Sequence, residues 1–230
     1  MHFQAPDGTN LFTEQLGDGE PLLVLSGGPG CVNYLRPVAE LLEHRTCFLT
    51  DPRGVGRSQG RPHDIATGIA DLEALREHLN LDAWDVLGHS WGADLGLAYA
   101  LMHPDRVSKL ISFAGTGIQY DRDWKAAYEA GKHLEADFVV EYSEDVHAAL
   151  RTDYRRFIKT PDLLARLSRL NVPITFLHMG ADIRPSWPAR QLAYLLPNAE
   201  FVELPGAPHN AWLTHARPLG EVLRRLLGRA

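Results

Sequence analysis

The residues best suited to chemistry are grouped around one serine. Gly88-His89-Ser90-Trp91-Gly92 matches the pattern G-x-S-x-G, which places a serine on a sharp turn between a strand and a helix. An apolar run precedes this segment and a helical pattern follows it. Side chains two residues to either side of the serine would collide in so tight a turn, which explains the two glycines. We interpret Ser90 as a nucleophile; the alternative is that its side chain only caps the helix.

A serine hydroxyl needs a base that takes its proton, and the base needs a partner that orients it. Asp182 and His209 follow Ser90 in the order acid, then base, and each stands in a loop directly after an apolar run. Loops at the carboxyl ends of parallel strands meet at one edge of a sheet. The sequence therefore predicts a triad of Ser90, Asp182 and His209.

Other residues could fill these positions. Of the 11 histidines, His215 is the main alternative base. Asp51, Asp94 and Asp105 are weaker candidates for the acid, because none of them follows the fifth apolar run. Cys31 is a conceivable nucleophile, but we interpret it as a small packing residue after a glycine loop.

Acyl transfer also needs N–H groups that stabilise the developing oxyanion. One should belong to Trp91, directly after the serine, and the other to the loop Gly27-Gly28-Pro29-Gly30. We expect Gly28 to be that second donor. The alternative for this loop is a plain turn.

The elements that must position these residues alternate between strand and helix. Six apolar runs of strand length end in loops, as buried parallel strands do, and helical patterns separate several of them. This alternation predicts an α/β fold with a mostly parallel sheet and helices on both faces. The runs are Pro21–Ser26, Cys47–Thr50, Trp84–Gly88, Val107–Ala114, Ile174–His178 and Ala199–Leu204, and the helical patterns are Ile69–Leu79, Leu95–Met102 and Pro218–Leu227.

The stretch from 116 to 171 breaks this alternation. It contains no convincing strand, and its charges are first mainly acidic and then mainly basic. We expect residues 1–115 and 172–230 to form one core, and 116–171 to form a small helical lid inserted after the sixth strand. The plain interpretation of its charges is that the helices face water.

Composition excludes several classes of function. The net charge of −6 and the lack of a Lys/Arg-rich run disfavour nucleic acid as a partner. No stretch approaches the ~20 apolar residues of a membrane span, and the first residues do not resemble a signal peptide, so we expect a cytoplasmic protein without a membrane partner. The two cysteines, Cys31 and Cys47, exclude a disulfide scaffold.

With these residues in place, the sequence resembles the α/β-hydrolase family and, within it, the proline iminopeptidases. Three segments carry the resemblance: Gly27-Gly28-Pro29-Gly30, Asp51-Pro52-Arg53-Gly54-Val55-Gly56-Arg57-Ser58 and Ser90-Trp91-Gly92. It covers the chain from about Leu22 to Arg106 and from Val172 to the C-terminus. The resemblance implies the fold and the triad, and no metal or organic cofactor.

The departures from that subgroup concern the substrate. It usually has His, Gln, Gly and Gly where this chain has Ser26, Pro52, His89 and Pro208. In the family, acidic lid residues hold the free amino group of the substrate. The segment from Trp124 to Glu129 is similar to that element with altered spacing, so the resemblance offers Glu129 and Trp124 as substrate-binding residues. A solvated helix is the alternative, and so short a lid also suits esters.

Three functions compete. The first is an aminopeptidase that releases N-terminal proline or small residues from a short peptide. The second is a carboxylesterase or lactonase acting on small esters, which would use the same triad and an acyl-enzyme. The third is a catalytically silent hydrolase scaffold that binds a small ligand, against which the intact order of Ser90, Asp182 and His209 argues.

Overall fold

The computed structural model describes residues 1–118 and 121–228 of the chain. The strands are β1 (His2–Gln4), β2 (Asn10–Leu16), β3 (Glu20–Leu25), β4 (Arg45–Thr50), β5 (Trp84–His89), β6 (Val107–Phe113), β7 (Ile174–Met179) and β8 (Ala199–Leu204). In the described residues these eight strands form one sheet in the order β1-β2-β4-β3-β5-β6-β7-β8. The pairs β1–β2 and β2–β4 are antiparallel, and every other neighbouring pair is parallel.

Helices cover both faces of the sheet. They are α1 (Arg36–Ala39), α2 (Ile65–His78), α3 (Trp91–Met102), α4 (Arg122–Gly131), α5 (Glu144–Phe157), α6 (Leu163–Leu167), α7 (Trp187–Leu195) and α8 (Ala216–Leu227), with short 3-10 turns at Pro104–Arg106, Lys132–Leu134 and Ala211–Leu213. Alternate residues of β3 point to opposite faces: Leu22 and Val24 pack in a core with α1 and α8, whereas Leu23 and Leu25 pack in a core with α2 and α3. The predicted fold class is confirmed.

All six predicted strands are present, but β1 and β2 were missed. They form the antiparallel edge, where only one face is buried, so β2 alternates between buried and partly exposed residues and contains no apolar run. Helices α1 and α7 were also missed, and α2 begins at Ile65, earlier than the pattern suggested. The side chain of Asp64 caps α2 by accepting the N–H of Thr67 at 2.7 Å.

The insertion between β6 and β7 has two unlike halves. In the outer half (residues 121–142), α4 buries no residue. In the inner half (residues 143–171), α5 and α6 contribute Val146, Leu150, Leu163 and Leu167 to the core on the α2/α3 face. The division of the chain into core and lid at 116 and 171 stays a prediction. Every helix in the described residues is too short or too polar to cross a membrane.

Candidate active site

The turn that carries Ser90 is backbone-strained and tightly packed. β5 ends at His89 and α3 begins at Trp91, and Ser90 between them has a φ of 54°, a value that non-glycine residues rarely adopt. A Cβ at Gly88 would lie 2.5 Å from the backbone nitrogen of Ala93, and one at Gly92 would lie 2.6 Å from the carbonyl oxygen of Ser26. The steric reason for glycine at both positions is therefore visible in the structure.

Asp182 and His209 are brought together from the loops after β7 and β8. His209 Nδ1 lies 2.5 Å from Asp182 Oδ2, and the Asp182 side chain is only 1% exposed. Burial alone would raise the pKa of Asp182, but the hydrogen bond from His209 and the positive charge of Arg184 outweigh it and lower this pKa to about 2. An ionised Asp182 accepts the Nδ1 proton and leaves Nε2 of His209 available as a base.

His209 lies beside the turn that carries Ser90. Its ring centroid is 4.7 Å from that of His89, the residue before the serine. Within the described residues, no hydrogen bond joins the Ser90 hydroxyl to His209. Such bonds are often long in the absence of substrate and tighten when it binds. The roles of Ser90, Asp182 and His209 stay a prediction.

Arg184 is a residue of the site that sequence reasoning missed. Its backbone N–H and its Nη1 both donate to Asp182 Oδ1, at 2.9 and 3.1 Å. The same Nη1 donates to Glu135 Oε1 at 2.6 Å, and the guanidinium lies 5.1 Å from the ring centroid of Tyr128. Arg184 thereby links the predicted acid to the outer half of the insertion. Its position two residues after Asp182 was the only available signal.

The glycine loop runs directly against the serine. A Cβ at Gly27 would lie 2.7 Å from the Cβ of Ser90. The Gly27 N–H already donates to Tyr34 Oη at 2.8 Å, whereas the Gly28 N–H donates to no acceptor in the described residues. Trp91, as the first residue of α3, has an N–H without an intrahelical acceptor. These two N–H groups are therefore available as oxyanion donors, and that role stays a prediction.

The two substrate-binding candidates lie on α4. Glu129 is exposed, and Trp124 is partly exposed and stacks on Tyr128 with a centroid distance of 5.6 Å. In the described residues, no contact joins either of them to Ser90 or His209. Besides Asp182, the cleft that His209 lines contains a second acidic residue, Glu135, which was not predicted as a substrate-binding residue.

One cleft lies beside the glycine loop. It is open to solvent and is bounded by Gly27 and Trp91 and by apolar side chains that include Leu72, Leu95 and Leu150. A second cleft, also open to solvent, lies beside His209. Its walls include Asp182, His209, Leu134 and Glu135.

The alternative residues have other surroundings. His215 precedes α8 and contacts Thr214, and Asp105 is exposed. Asp51 binds Arg57, and Asp94 binds the residues that follow β6. Burial raises the pKa of Cys31 to about 11, which leaves its thiol protonated. No group of three or more His, Cys, Asp or Glu side chains in the described residues is arranged to hold a metal ion.

A family model described as alpha/beta hydrolase fold matches residues 20–164. The proline iminopeptidase of Xanthomonas citri is 42% identical over 76% of this chain and 62% of its own length, and that of Xylella fastidiosa (strain 9a5c) is 34% identical over 70% and 55%. The chain thus spans a little over half the length of these curated relatives.

Solved structures resemble the chain over nearly its whole length. An esterase from Exiguobacterium antarcticum has a TM-score of 0.77 at 21% identity, covering 98% of both chains. A thermophilic esterase from Thermogutta terrifontis has a TM-score of 0.79 at 19% identity, covering 99% of this chain and 97% of that one. At these identities the likeness concerns the fold alone.

Proposed function

The chain belongs to the α/β-hydrolase family, and from this premise we propose that it is a serine hydrolase that works through an acyl-enzyme. The observation that carries the proposal is the buried His209–Asp182 pair, 2.5 Å apart, beside a serine held at positive φ at the start of a helix. In this proposal Ser90 is the nucleophile, His209 the base and Asp182 the acid that orients the base.

In the proposed reaction, Ser90 attacks a substrate carbonyl carbon while His209 Nε2 takes the hydroxyl proton. The N–H groups of Gly28 and Trp91 hold the oxyanion, and Asp182 stabilises the imidazolium. His209 then protonates the leaving alcohol or amine. Water, deprotonated by His209, attacks the acyl-enzyme and releases the acid and free Ser90.

The relatives favour one substrate class, because they are named proline iminopeptidases. That activity needs a group that binds the free ammonium of the N-terminal residue, and Glu129 with Trp124 is the sequence-based candidate. The exposure of Glu129 on α4 leaves it without the enclosed surroundings that strengthen an ion pair.

The clefts favour the other class, a carboxylesterase or lactonase. Since His209 must protonate the leaving group, that group lies on the His209 side, and the acyl group extends towards Gly27 and Trp91. The cleft on that side is largely apolar. The carboxylates that line it already have partners within the protein. Asp51 and Asp71 form ion pairs with arginines at 2.8 and 2.6 Å, and Asp64 caps α2. An uncharged apolar acyl group fits this cleft better than an ammonium does, so ester hydrolysis is the activity that the geometry supports best.

One assay panel separates the alternatives. Purified protein is offered p-nitrophenyl esters of increasing acyl length and aminoacyl arylamides, proline first, with and without a blocked amino group. Ester turnover alone supports the esterase, and arylamide turnover that is lost on blocking the amine supports the peptidase. If a fluorophosphonate fails to label Ser90, the catalytically silent scaffold that binds a small ligand is the remaining interpretation.

Gly68 offers a direct test of the acyl cleft. It lies on α2, lines the cleft, and a Cβ added there would meet nothing within 4 Å. Gly68→Phe should lower kcat/KM for a long-chain ester roughly tenfold relative to the acetate, because the new ring occupies space that a long acyl chain needs. Gly68→Ala is the matched control and should leave that ratio unchanged. An unchanged ratio in Gly68→Phe would exclude this cleft as the acyl site.

A further inference from the structure

The residue before the serine, His89, is buried among aromatic rings. Its side chain is 1% exposed, and its ring centroid lies 4.7 to 4.8 Å from those of Phe113, His209 and Trp212. Buried polar atoms need partners, and both ring nitrogens have one. Nε2 lies 3.2 Å from the carbonyl oxygen of His209, and Nδ1 lies 2.8 Å from Tyr34 Oη.

These contacts determine which atom donates and which accepts in each hydrogen bond of His89 and Tyr34. A carbonyl oxygen only accepts, so His89 Nε2 carries the proton. Complete burial lowers the pKa of His89 well below its ordinary value, so the ring is neutral and Nδ1 accepts from the Tyr34 hydroxyl. The Tyr34 oxygen in turn accepts the N–H of Gly27 at 2.8 Å. Hydrogen bonds thus run in one direction from Gly27 through Tyr34 and His89 to His209.

This chain of hydrogen bonds joins the parts of the proposed machinery. It begins in the glycine loop, passes through the residue bonded to Ser90, and ends on the backbone of His209. Because Tyr34 holds the Gly27 N–H, the peptide that carries the neighbouring Gly28 N–H is oriented as well. We propose that His89 and Tyr34 are positioning residues that keep the oxyanion loop and the base loop in register around Ser90. The inference rests on the proposed function.

A purely structural role for Tyr34 predicts a different effect of removing its hydroxyl group. The Tyr34 ring stacks on Trp212 at 5.7 Å and meets Phe138 edge-on at 5.1 Å, and Tyr34→Phe retains both contacts. The variant removes only the hydroxyl, which links Gly27 to His89. Loss of packing would change stability alone, whereas loss of register would weaken the binding of a tetrahedral, oxyanion-like species.

The test compares Tyr34→Phe with wild type and with Tyr194→Phe, the same change on a side chain that is 91% exposed. The readouts are the rate of Ser90 labelling by a fluorophosphonate, the affinity for phenylboronic acid, and KM and kcat for p-nitrophenyl acetate. We expect labelling, boronate affinity and kcat to fall roughly tenfold in Tyr34→Phe, with KM within about twofold. Tyr194→Phe should match wild type. A lower Tm in Tyr34→Phe with unchanged labelling and boronate affinity would overturn the inference.

Substitutions of His89 separate its two hydrogen bonds. Asparagine places an amide near the position of Nδ1 and can keep the bond with Tyr34, whereas glutamine places one near Nε2 and can keep the bond with the His209 carbonyl. In a His89→Gln background, Tyr34→Phe should cost less than about twofold, because the link is already broken. If the losses of activity in His89→Gln and Tyr34→Phe simply add in the double variant, the two residues do not act through one chain of hydrogen bonds. Should the His89 variants fail to fold, the Tyr34→Phe comparison still decides.

Failure of the proposed function and failure of the positioning role give different experimental results. If the fluorophosphonate does not label wild-type Ser90, the proposed function fails and this inference falls with it. If wild type is labelled and Tyr34→Phe is labelled equally fast, only the positioning role is lost.

Discussion

The turn around Ser90 and the outer half of the insertion (residues 121–142) are built by opposite means. The turn is enclosed by backbone that leaves no room for a Cβ at Gly88 or Gly92. The outer half buries no residue of α4, and Val139 is 97% exposed. It is attached at a few points, among them the ion pair of Glu135 with Arg184 and the contact of Phe138 with Tyr34.

This difference in packing suits two different requirements of a catalytic site. A nucleophile needs a position fixed within a fraction of an ångström, which tight packing supplies. A segment that is to admit different substrates needs freedom to move, which few contacts allow. Changes in the turn should therefore alter kcat most strongly, and changes in the outer half should act mainly on substrate choice.

The largest effect is expected at Ser90 itself. Ser90→Ala should lower kcat by roughly 10⁴-fold or more, because the nucleophile is lost. Ser90→Gly should be just as inactive but more stable than Ser90→Ala by about 1 kcal/mol, since glycine adopts a φ of 54° without strain. Turnover and urea unfolding of both variants check this. Retained turnover in either variant would show that another residue is the nucleophile.

A smaller effect is expected where the two regions meet, at Arg184. Arg184→Gln should lower kcat/KM roughly 10–100-fold, because a buried charge-assisted hydrogen bond to the acid is lost. Removal of a positive charge beside Asp182 should also move the acidic limb of the pH–rate profile to higher pH. The measurement is kcat/KM for an ester across pH 5–9.

The matched control is Arg190→Gln, which breaks an arginine–carboxylate pair with Glu203 on the surface. It should leave the profile unchanged. Glu135→Gln removes a negative charge instead, so it should move the acidic limb slightly in the opposite direction, to lower pH, while the guanidinium stays in place. A profile in Arg184→Gln that equals wild type would show that the arginine only anchors the insertion.

Asp94 lies beside the residues that lead from β6 into the insertion, and its expected effect is on stability. It is buried on α3 and accepts hydrogen bonds from Thr116 and Gly117, which lead into the insertion. Burial raises the pKa of Asp94 to about 7, because it outweighs the hydrogen bonds from Thr116 and Gly117, which lower this pKa. Between about pH 4 and 7 the unfolded chain releases this proton while the folded chain retains it, so stability falls as pH rises through that window, by up to about 4 kcal/mol.

Asp94→Asn removes this titration. The loss of unfolding free energy between pH 5 and pH 8 should be smaller in the variant than in wild type, as measured by urea unfolding at both pH values. Equal losses would mean that Asp94 is ionised throughout this range.

The smallest effect is expected at Glu129 in the outer half. Glu129→Gln should change ester turnover by less than about twofold, because the side chain is exposed. Parallel assays with proline arylamide sharpen the comparison. A tenfold loss confined to the arylamide would assign the free-amine role to Glu129 and favour the peptidase.

Several features were readable in the sequence because they are local. Six strands were found from apolar runs, and Ser90 was found from glycines whose steric role depends on residues two positions away. The antiparallel strands β1 and β2 escaped because a half-buried edge needs few apolar residues. The sequence analysis assigned the chemistry to Ser90 and gave His89, the residue before it, no role. Tyr34 carried no sequence pattern, and the only signal for Arg184 was its position two residues after Asp182.

The sequence by itself determined the fold class, the position of Ser90 and the chain order of Asp182 and His209, since periodicity and turn sterics act between near neighbours. Only the tertiary structure decided that Arg184 joins Asp182 to Glu135 and that Tyr34 joins Gly27 to His89. Tyr34 and His89 are 55 residues apart in the chain, and Arg184 and Glu135 are 49 apart. A hydrogen bond requires two atoms within about 3 Å, and the folding of the whole sheet sets that distance for residues so far apart.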